Sequence, residues 1–204
     1  MILNIRGANG SGKSTAARHF LKPTDNIRLV NLCKYETATG RTKIIIGYHN
    51  QRLNVVVVGD YSTMAGGMDK IPNFGLMREA ILAALKISKR VICEGVIAST
   101  VFGSWADFTL QLKKQGETFA WVYIEPPLKV CLERIQARNN GKPIKEGLVA
   151  DKVKSVRGTK EKALRAGFRV YQLPLDLPGL ACENILRGFG RDYRVRPDGM
   201  VRPE

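Results

Sequence analysis

The sequence predicts a three-layer α/β/α fold in which helices cover both faces of a mostly parallel β-sheet. Short apolar runs typical of buried strands alternate with amphipathic helical patterns along the 204-residue chain, and this alternation is typical of parallel sheets. The apolar fraction of 44% is sufficient for a full hydrophobic core. We find no repeat, low-complexity tract or long linker, so residues 1–204 are interpreted as a single domain.

The first elements are identified by their periodicity and by the turn residues between them. MILNIRG is a predicted buried strand, and GKSTAARHFLK is a predicted helix that ends at Pro23. Three β-like runs then predict a meander, and they read IRLVNLCKYE, RTKIIIGYHN and LNVVVVGDY. Because a meander departs from the strand–helix alternation, residues 27–54 are interpreted as an insert.

The second half of the chain returns to alternating strands and helices. The predicted helices are FGLMREAILAALKISK, SWADFTLQLKKQG, LKVCLERIQARNNG and GLACENILRGFG. The predicted strands between them are RVICEGV, FAWVYIEPP and FRVYQLP. The third of these helices runs into a strongly basic segment.

The charge of the chain is unusual for a globular protein. The formal net charge is +15 and the pI is about 9.9. Such an excess usually reflects a polyanionic partner, such as nucleic acid or a membrane surface, although some basic proteins have none. Lys/Arg exceed Asp/Glu by twelve to four between Lys129 and Arg169, and by seven to two between Arg18 and Arg52. An excess of this size favours DNA, because phosphate contacts supply most non-specific affinity.

The cysteines and the N-terminus indicate the compartment. Cys33, Cys93, Cys131 and Cys182 are far apart and form no zinc-binding pattern. Cys93 and Cys131 lie in apolar settings and are predicted to be buried thiols. We expect no signal peptide, no membrane span and no membrane partner. The chain is therefore predicted to be cytoplasmic, in the host cytoplasm if the protein is viral.

The strongest motif is a phosphate-binding loop. Residues 7–15, GANGSGKST, match G-x-x-x-x-G-K-[ST] between a predicted strand and a predicted helix. Backbone N–H groups of such a loop surround phosphate oxygens, Lys13 reaches the outer phosphates, and Ser14 ligates Mg²⁺. The alternative is a chance glycine-rich turn. The predicted ATP-binding residues are Gly7, Asn9, Gly10, Ser11, Gly12, Lys13, Ser14 and Thr15.

Two carboxylates follow apolar strands. In an open α/β sheet, ligands bind beyond the carboxyl ends of the strands, so Glu94 is predicted to lie near the loop and to bind Mg²⁺. The alternative is a solvated glutamate at a strand end. Asp60 is predicted to accept the proton of an attacking hydroxyl, as phosphoryl transfer to an alcohol requires. A second metal contact and a turn-capping aspartate are the alternatives for Asp60.

Two arginines complete the predicted site. Arg134 and Arg138 are four residues apart and share one helix face. They can neutralise charge on a transferred phosphoryl group. The alternative is a solvated basic face.

These motifs, taken in order, resemble the P-loop kinases of the nucleotide and polynucleotide kinase group. The matching segments are GANGSGKST, GDY, VICEG and YIEPPLKVCLERIQAR. The resemblance implies the P-loop NTPase fold, ATP and Mg²⁺, an acceptor aspartate at Asp60 and an acidic residue at Glu94. It also implies a basic helical lid over about residues 134–165, whose arginines clamp the phosphates. The basic tail, residues 187–204, contributes nothing to the resemblance.

With GDYSTMAGGMDKI included, the chain more narrowly resembles the bacteriophage kinases that phosphorylate 5-hydroxymethyluracil within DNA. This resemblance implies an ATP-dependent kinase whose partner is duplex DNA containing a hydroxymethyl pyrimidine. The β-meander before Asp60 also differs from the helical insert usual in nucleoside monophosphate kinases, which argues against a free nucleotide.

The C5 substituent of a pyrimidine points into the major groove, and base flipping would bring it to the γ-phosphate. Asp60, Tyr61 and Arg78 are the predicted substrate-binding residues. Tyr48, Tyr61 and Phe74 are candidates to stack on a base, although core or loop packing is the alternative for each. A kinase of small nucleosides or nucleotides, a 5′-hydroxyl polynucleotide kinase and a non-catalytic, ATP-gated nucleic-acid-binding protein remain as alternative functions.

Overall fold

The protein is described from a computed structural model, which covers residues 1–63, 66–139 and 142–196. Seven strands form one sheet in this part of the chain. They are β1 (Ile2–Arg6), β2 (Ile27–Glu36), β3 (Thr42–Asn50), β4 (Val55–Val58), β5 (Val91–Glu94), β6 (Phe119–Tyr123) and β7 (Arg169–Gln172).

Seven α-helices occur in the same described residues. They are α1 (Lys13–Arg18), α2 (Phe74–Ile87), α3 (Val96–Thr100), α4 (Gly103–Lys114), α5 (Leu128–Arg138), α6 (Glu146–Arg165) and α7 (Pro178–Leu186). Short 3₁₀ turns cover Pro23–Asp25 and Arg191–Tyr193.

The sheet order is β2-β3-β4-β5-β1-β6-β7. The five strands from β4 to β7 in this order are parallel, while β2, β3 and β4 pair antiparallel as a meander. The predicted α/β class with a mostly parallel sheet is therefore confirmed. Because β4, β5 and β1 run in the same direction, their carboxyl ends meet at one edge, which we call the catalytic edge.

Two hydrophobic clusters fill the space on either side of the sheet. One contains residues of α2, α4 and α6, such as Ile81, Trp105 and Val156. The other contains residues of α1 and α7, such as Ala17 and Cys182. Strands β1, β4, β5 and β6 are buried along their whole length, which explains their continuous apolar runs. The sheet is thus the middle of three layers.

The structure corrects several predicted elements. The first helix ends at Arg18, before Pro23. Strand β4 ends at Val58, because Gly59 adopts a φ of +110° that turns the chain. Helix α3 was not predicted, whereas α6 lies in the segment for which the resemblance implied a basic helical lid. In α6 the buried stripe consists of a few small or medium residues on a strongly basic helix, so its apolar period is weak.

Cys93 and Cys131 are buried, as predicted, and the four cysteines are unpaired. Among the described residues, no helix has the length and apolar character needed to cross a bilayer. Residues 197–204 of the basic tail and residues 140–141 of the predicted lid lie outside the described residues.

Candidate active site

The phosphate loop connects β1 to α1 at the catalytic edge. The Lys13 side chain is 6% exposed, and its Nζ donates a hydrogen bond to the Ala8 carbonyl over 2.9 Å. Burial lowers the pKa of Lys13, and the Glu94 carboxylate is the largest opposing influence. The lysine is therefore a buried cation held inside the loop and balanced mainly by one carboxylate. Asn9 and Thr15 are exposed at its margin.

Helix α5 packs directly against this loop. Gly10 has a φ of +75°, and a Cβ at this position would collide with the Cys131 carbonyl. A side chain here would be strained and would also push α5 away. Arg134 of α5 directs its Nη1 at the Gly10 and Ser11 carbonyls, at 3.4 Å and 3.3 Å. A guanidinium is thereby held over the loop.

Glu94 ends β5 beside the same loop. Its side chain is 1% exposed, and its Oε1 accepts a hydrogen bond from Ser14 Oγ over 2.8 Å. Burial raises the pKa of Glu94 to about 6, opposed by the charge of Lys13 and the Ser14 hydrogen bond. The structure thus brings Lys13, Ser14 and Glu94 together.

The oxygens of this cluster fit a hard divalent cation. Ser14 and Glu94 supply neighbouring hydroxyl and carboxylate oxygens, which are ligands that Mg²⁺ accepts. Two buried hydroxyls beside the cluster, Ser11 Oγ and Tyr61 Oη, have no hydrogen-bond partner in the described part of the chain. Among the described residues no group of three or more His, Cys, Asp or Glu gathers in one place. A cation held by Ser14 and Glu94 would therefore take its other ligands from a nucleotide and water.

The segment after β4 folds back over Glu94. Asp60 and Gly67 exchange backbone hydrogen bonds, and the Met68 N–H donates to the Glu94 carbonyl over 2.8 Å. Gly67 has a φ of +94°, and a Cβ there would collide with Glu94 Oε1. The glycine is required because the backbone passes directly over the carboxylate.

Asp60 lies at the catalytic edge, and its carboxylate is engaged locally. Its Oδ1 accepts from the Ser62 N–H over 2.8 Å, and its Oδ2 accepts from Lys70 Nζ over 3.2 Å. Hydrogen bonds from Ser62, together with Lys70, lower the pKa of Asp60 to about 2. These contacts are the ones expected if Asp60 only caps the turn, which was one of the alternatives for this residue. Its role as a general base stays a prediction.

The aromatic candidates have packing partners. Tyr61 is 5% exposed, and its ring lies 6.0 Å from that of Tyr48 and 5.5 Å from the Arg18 guanidinium carbon. Phe74 packs edge-on against Trp105 at 4.9 Å. Stacking of Tyr61 or Phe74 on a base would require these contacts to open.

Two predicted arginines differ in their surroundings. Arg138 is exposed at the end of α5, and its charge contributes to the lowered pKa of Lys13. Arg78 lies between α2 and α4, where it donates to Gln111 over 2.5 Å and lies 5.1 Å from the Phe108 ring. Its guanidinium carbon also lies 5.9 Å from the ring of Phe74, a candidate to stack on a base. None of the other contacts described for Arg78 involves a predicted site residue.

Sequence reasoning missed three residues at the site. Asp69 accepts hydrogen bonds from the Val96 and Ile97 N–H groups at the start of α3, and its charge acts on Lys13 and Glu94. The only signal was a further carboxylate in the loop that contains Asp60. The other two residues are Ser99 and Arg18.

Ser99 and Arg18 fix the backbone around the cluster. Ser99 Oγ accepts from the Gly7 N–H over 3.1 Å and donates to the Gly95 carbonyl. Arg18 donates to the Tyr61 carbonyl over 3.1 Å and to that of Thr63. No sequence motif marks either residue, because their roles depend on α3 and the loop after β4 returning to the phosphate loop.

Comparison with known proteins shows the family. The family model described as "5-hmdU DNA kinase" matches residues 1–168. This chain belongs to the 5-hmdU DNA kinase family. A 5-hmdU DNA kinase of Pseudomonas phage M6 is 35% identical over 181 residues, which cover 84% of this chain and 89% of the relative.

Two further members of the family are more distant. The 5-hmdU DNA kinase of Bacillus phage SP10 is 28% identical over 172 residues, covering 82% of this chain and 26% of that longer protein. The 5-hmdU DNA kinase 1 of Salmonella phage ViI is 25% identical over 166 residues, covering 78% of this chain and 68% of the relative. The resemblance inferred from the motifs is therefore confirmed.

Proposed function

We propose that this chain is a phosphotransferase that moves the γ-phosphate of ATP to the hydroxyl of 5-hydroxymethyluracil in duplex DNA. The observation that carries the proposal is the cluster of Lys13, Ser14 and Glu94 beside a phosphate loop under Arg134, in a member of the 5-hmdU DNA kinase family. A buried cation, two hard oxygen ligands and a second cation suit a bound triphosphate.

Each residue has a defined part in the transfer. The bond formed joins the hydroxymethyl oxygen to the γ-phosphorus, and the bond broken releases ADP. Lys13 and Arg134 place positive charge where the phosphoryl oxygens gain negative charge. Ser14 and Glu94 would hold Mg²⁺, which neutralises the triphosphate when bound. The hydroxyl proton passes to Asp60.

The distribution of charge supports a DNA acceptor, as the family does. Of the twelve basic residues between Lys129 and Arg169, eleven are exposed, and the twelfth, Lys160, is half-buried and pairs with Glu125. One of the eleven, Arg134, covers the loop. The other ten are Lys129, Arg138, Lys142, Lys145, Lys152, Lys154, Arg157, Lys162, Arg165 and Arg169. A cationic surface of this extent suits a DNA backbone better than a free nucleoside.

The proposal is tested by offering ATP labelled at the γ-phosphate with several acceptors in parallel. These are a duplex containing 5-hydroxymethyluracil, the same duplex with thymine and a free 5′-hydroxyl, and the free hydroxymethyl nucleoside. Label in the first duplex alone supports the proposal. Label on the 5′-hydroxyl or on the free nucleoside identifies a different kinase, and ATP hydrolysis with no labelled acceptor identifies an ATP-gated binding protein.

A further inference from the structure

The two outer strands of the meander extend beyond the sheet at the catalytic edge. Strand β4 ends at Val58, opposite Gly47, whereas β3 begins five residues earlier, at Thr42. Over that length β3 pairs only with β2, with Cys33 opposite Ile45 and Glu36 opposite Thr42. We call residues 33–45 the ribbon. Its four cross-strand residue pairs extend about 13 Å beyond the end of β4, at about 3.3 Å per residue.

The ribbon is held in place from one side. Cys33 and Tyr35 pack against the hydrophobic cluster that contains α2. A register shift between Asn31 and Cys33 marks a bulge at the base of the ribbon, and bulges strengthen the local twist. The tip is closed by backbone and side-chain hydrogen bonds between Thr37 and Arg41. The ribbon is therefore a formed structural element.

The other face of the ribbon is exposed and basic. Lys34 and Ile44 lie opposite each other across the strands, and Ile44 is 44% exposed. On this face and at the tip, Lys34 and Arg41 are exposed against the single acid Glu36, and neither forms an ion pair within the described residues. Lys43 lies opposite Tyr35 and belongs to the inner face. The positive charge of the exposed Lys34 and Arg41 side chains suits binding to a polyanion.

The ribbon also borders the predicted acceptor residue. A cleft of about 600 Å³ separates its inner face from the start of α2, lined among others by Tyr35, Lys43, Lys70 and Asn73. Lys70 is the residue that pairs with Asp60. A molecule bound along the ribbon therefore lies next to the edge where phosphoryl transfer is proposed.

We infer that the ribbon docks in the major groove of duplex DNA beside the target base; this inference rests on the proposed function. The major groove admits a two-stranded β-ribbon, and it is the groove into which a C5 substituent projects. Lys34 and Arg41 reach phosphates or guanine edges, and Ile44 contacts the C5 groups of pyrimidines. The ribbon thus places the hydroxymethyl group near Asp60.

The test compares two charge-reversed variants of the full chain. K34E/R41E changes the ribbon, and K86E/K114E makes the same change at exposed positions of α2 and α4, at the opposite edge of the sheet. Binding of a duplex with one 5-hydroxymethyluracil is measured by fluorescence anisotropy over a range of salt. Protection of guanine N7 from methylation reports occupation of the major groove.

We expect K34E/R41E to weaken duplex binding by about tenfold or more, to lower the salt slope by about 2, and to remove the guanine protection. K86E/K114E should match the wild type in all three, and both variants should keep the wild-type melting temperature and ATP affinity. The inference is overturned if K34E/R41E binds the duplex and protects guanine N7 as the wild type does. It is also overturned if the variant loses affinity but still protects guanine N7.

The inference and the proposed function can fail separately. If the wild type phosphorylates the modified duplex while K34E/R41E binds and protects it normally, the ribbon is not the docking element and the function stands. If the wild type transfers no phosphate to the duplex but the ribbon variant loses affinity and protection, the docking element stands and the acceptor is wrong.

Discussion

Two carboxylates at the catalytic edge, Asp60 and Glu94, have opposite environments. Glu94 is buried beside Lys13 and Ser14, and burial raises its pKa to about 6. Asp60 is tied to Ser62 and Lys70, which lower its pKa to about 2. Glu94, beside the Ser14 hydroxyl and the Lys13 cation, suits a metal ligand. Asp60 is ionised at neutral pH and is a weak base.

We predict that Asp60→Asn keeps ATP affinity and lowers the transfer rate by roughly 10²-fold, the low end for a lost general base, because a loose transition state asks little of one. The transfer rate to the modified duplex is measured from the product formed at fixed times, at a series of Mg²⁺ concentrations. If excess Mg²⁺ restores the rate of Asp60→Asn, Asp60 is a metal ligand and the role assigned to it is wrong.

Glu94→Gln is the matched variant, with the same loss of one charge. We predict that it raises the Mg²⁺ concentration needed for half-maximal transfer, since a metal ligand has lost its charge. Ser104→Ala, at an exposed position of α4, is the control and should keep the wild-type Mg²⁺ requirement. An unchanged Mg²⁺ requirement in a folded Glu94→Gln protein would refute its assignment as a ligand.

At the scale of elements, α3 joins the loop after β4 to the phosphate loop. Asp69 holds the first N–H groups of α3, and Ser99 near its end accepts the Gly7 N–H. Thr159 of α6 donates to the Ser99 carbonyl over 3.0 Å. The helix therefore connects the loop after β4, the phosphate loop and α6 through hydrogen bonds.

Ser99→Ala is predicted to loosen the phosphate loop. It leaves the buried Gly7 N–H without a partner, which costs about 1–3 kcal/mol. We expect a lower melting temperature and weaker ATP binding by calorimetry, with Ser104→Ala unchanged in both. If Ser99→Ala loses stability but binds ATP as the wild type does, the serine supports the core and does not position the loop.

Elements differ in how far the sequence predicted them. The parallel strands were recognisable because both of their faces are buried, so that runs such as VVVV at Val55–Val58 are wholly apolar. Helix α6 was expected only from the resemblance, which implied a basic helical lid, because its own buried stripe is too narrow to give a clear apolar period. Lys13, Ser14 and Glu94 were predictable from a motif and a strand end. Asp69 and Ser99 were not, since their roles arise from non-local backbone contacts.

At the scale of the whole molecule, the basic residues that give the net charge of +15 are unevenly distributed over the surface. The described ion pairs involve few of the basic residues between Lys129 and Arg169. The exposed remainder lies mainly on α5 and α6, while the ribbon carries a second, smaller group. A duplex that contacts both would cross the catalytic edge between them.

DNA affinity should therefore fall steeply as salt rises, with a slope of about 0.9 per phosphate contact. We predict that K145Q/K152Q/K154Q, changed on or beside α6, lowers this slope by about 3. K86Q/K113Q/K114Q, at the opposite edge, should leave it unchanged. Affinity that is flat between low and physiological salt would show that the basic surface does not bind the backbone.

The identity of the phosphorylated group tests the central claim most directly. The modified duplex is incubated with ATP and Mg²⁺, digested by a nuclease to nucleoside monophosphates with no phosphatase, and analysed by mass spectrometry. We predict the 5-hydroxymethyldeoxyuridine nucleotide with one further phosphoryl group on the hydroxymethyl oxygen, and none with Lys13→Ala, while Lys114→Ala gives the wild-type yield. A nucleotide whose hydroxymethyl group is unmodified, or transferred phosphate found only on a terminal sugar hydroxyl, would contradict the account.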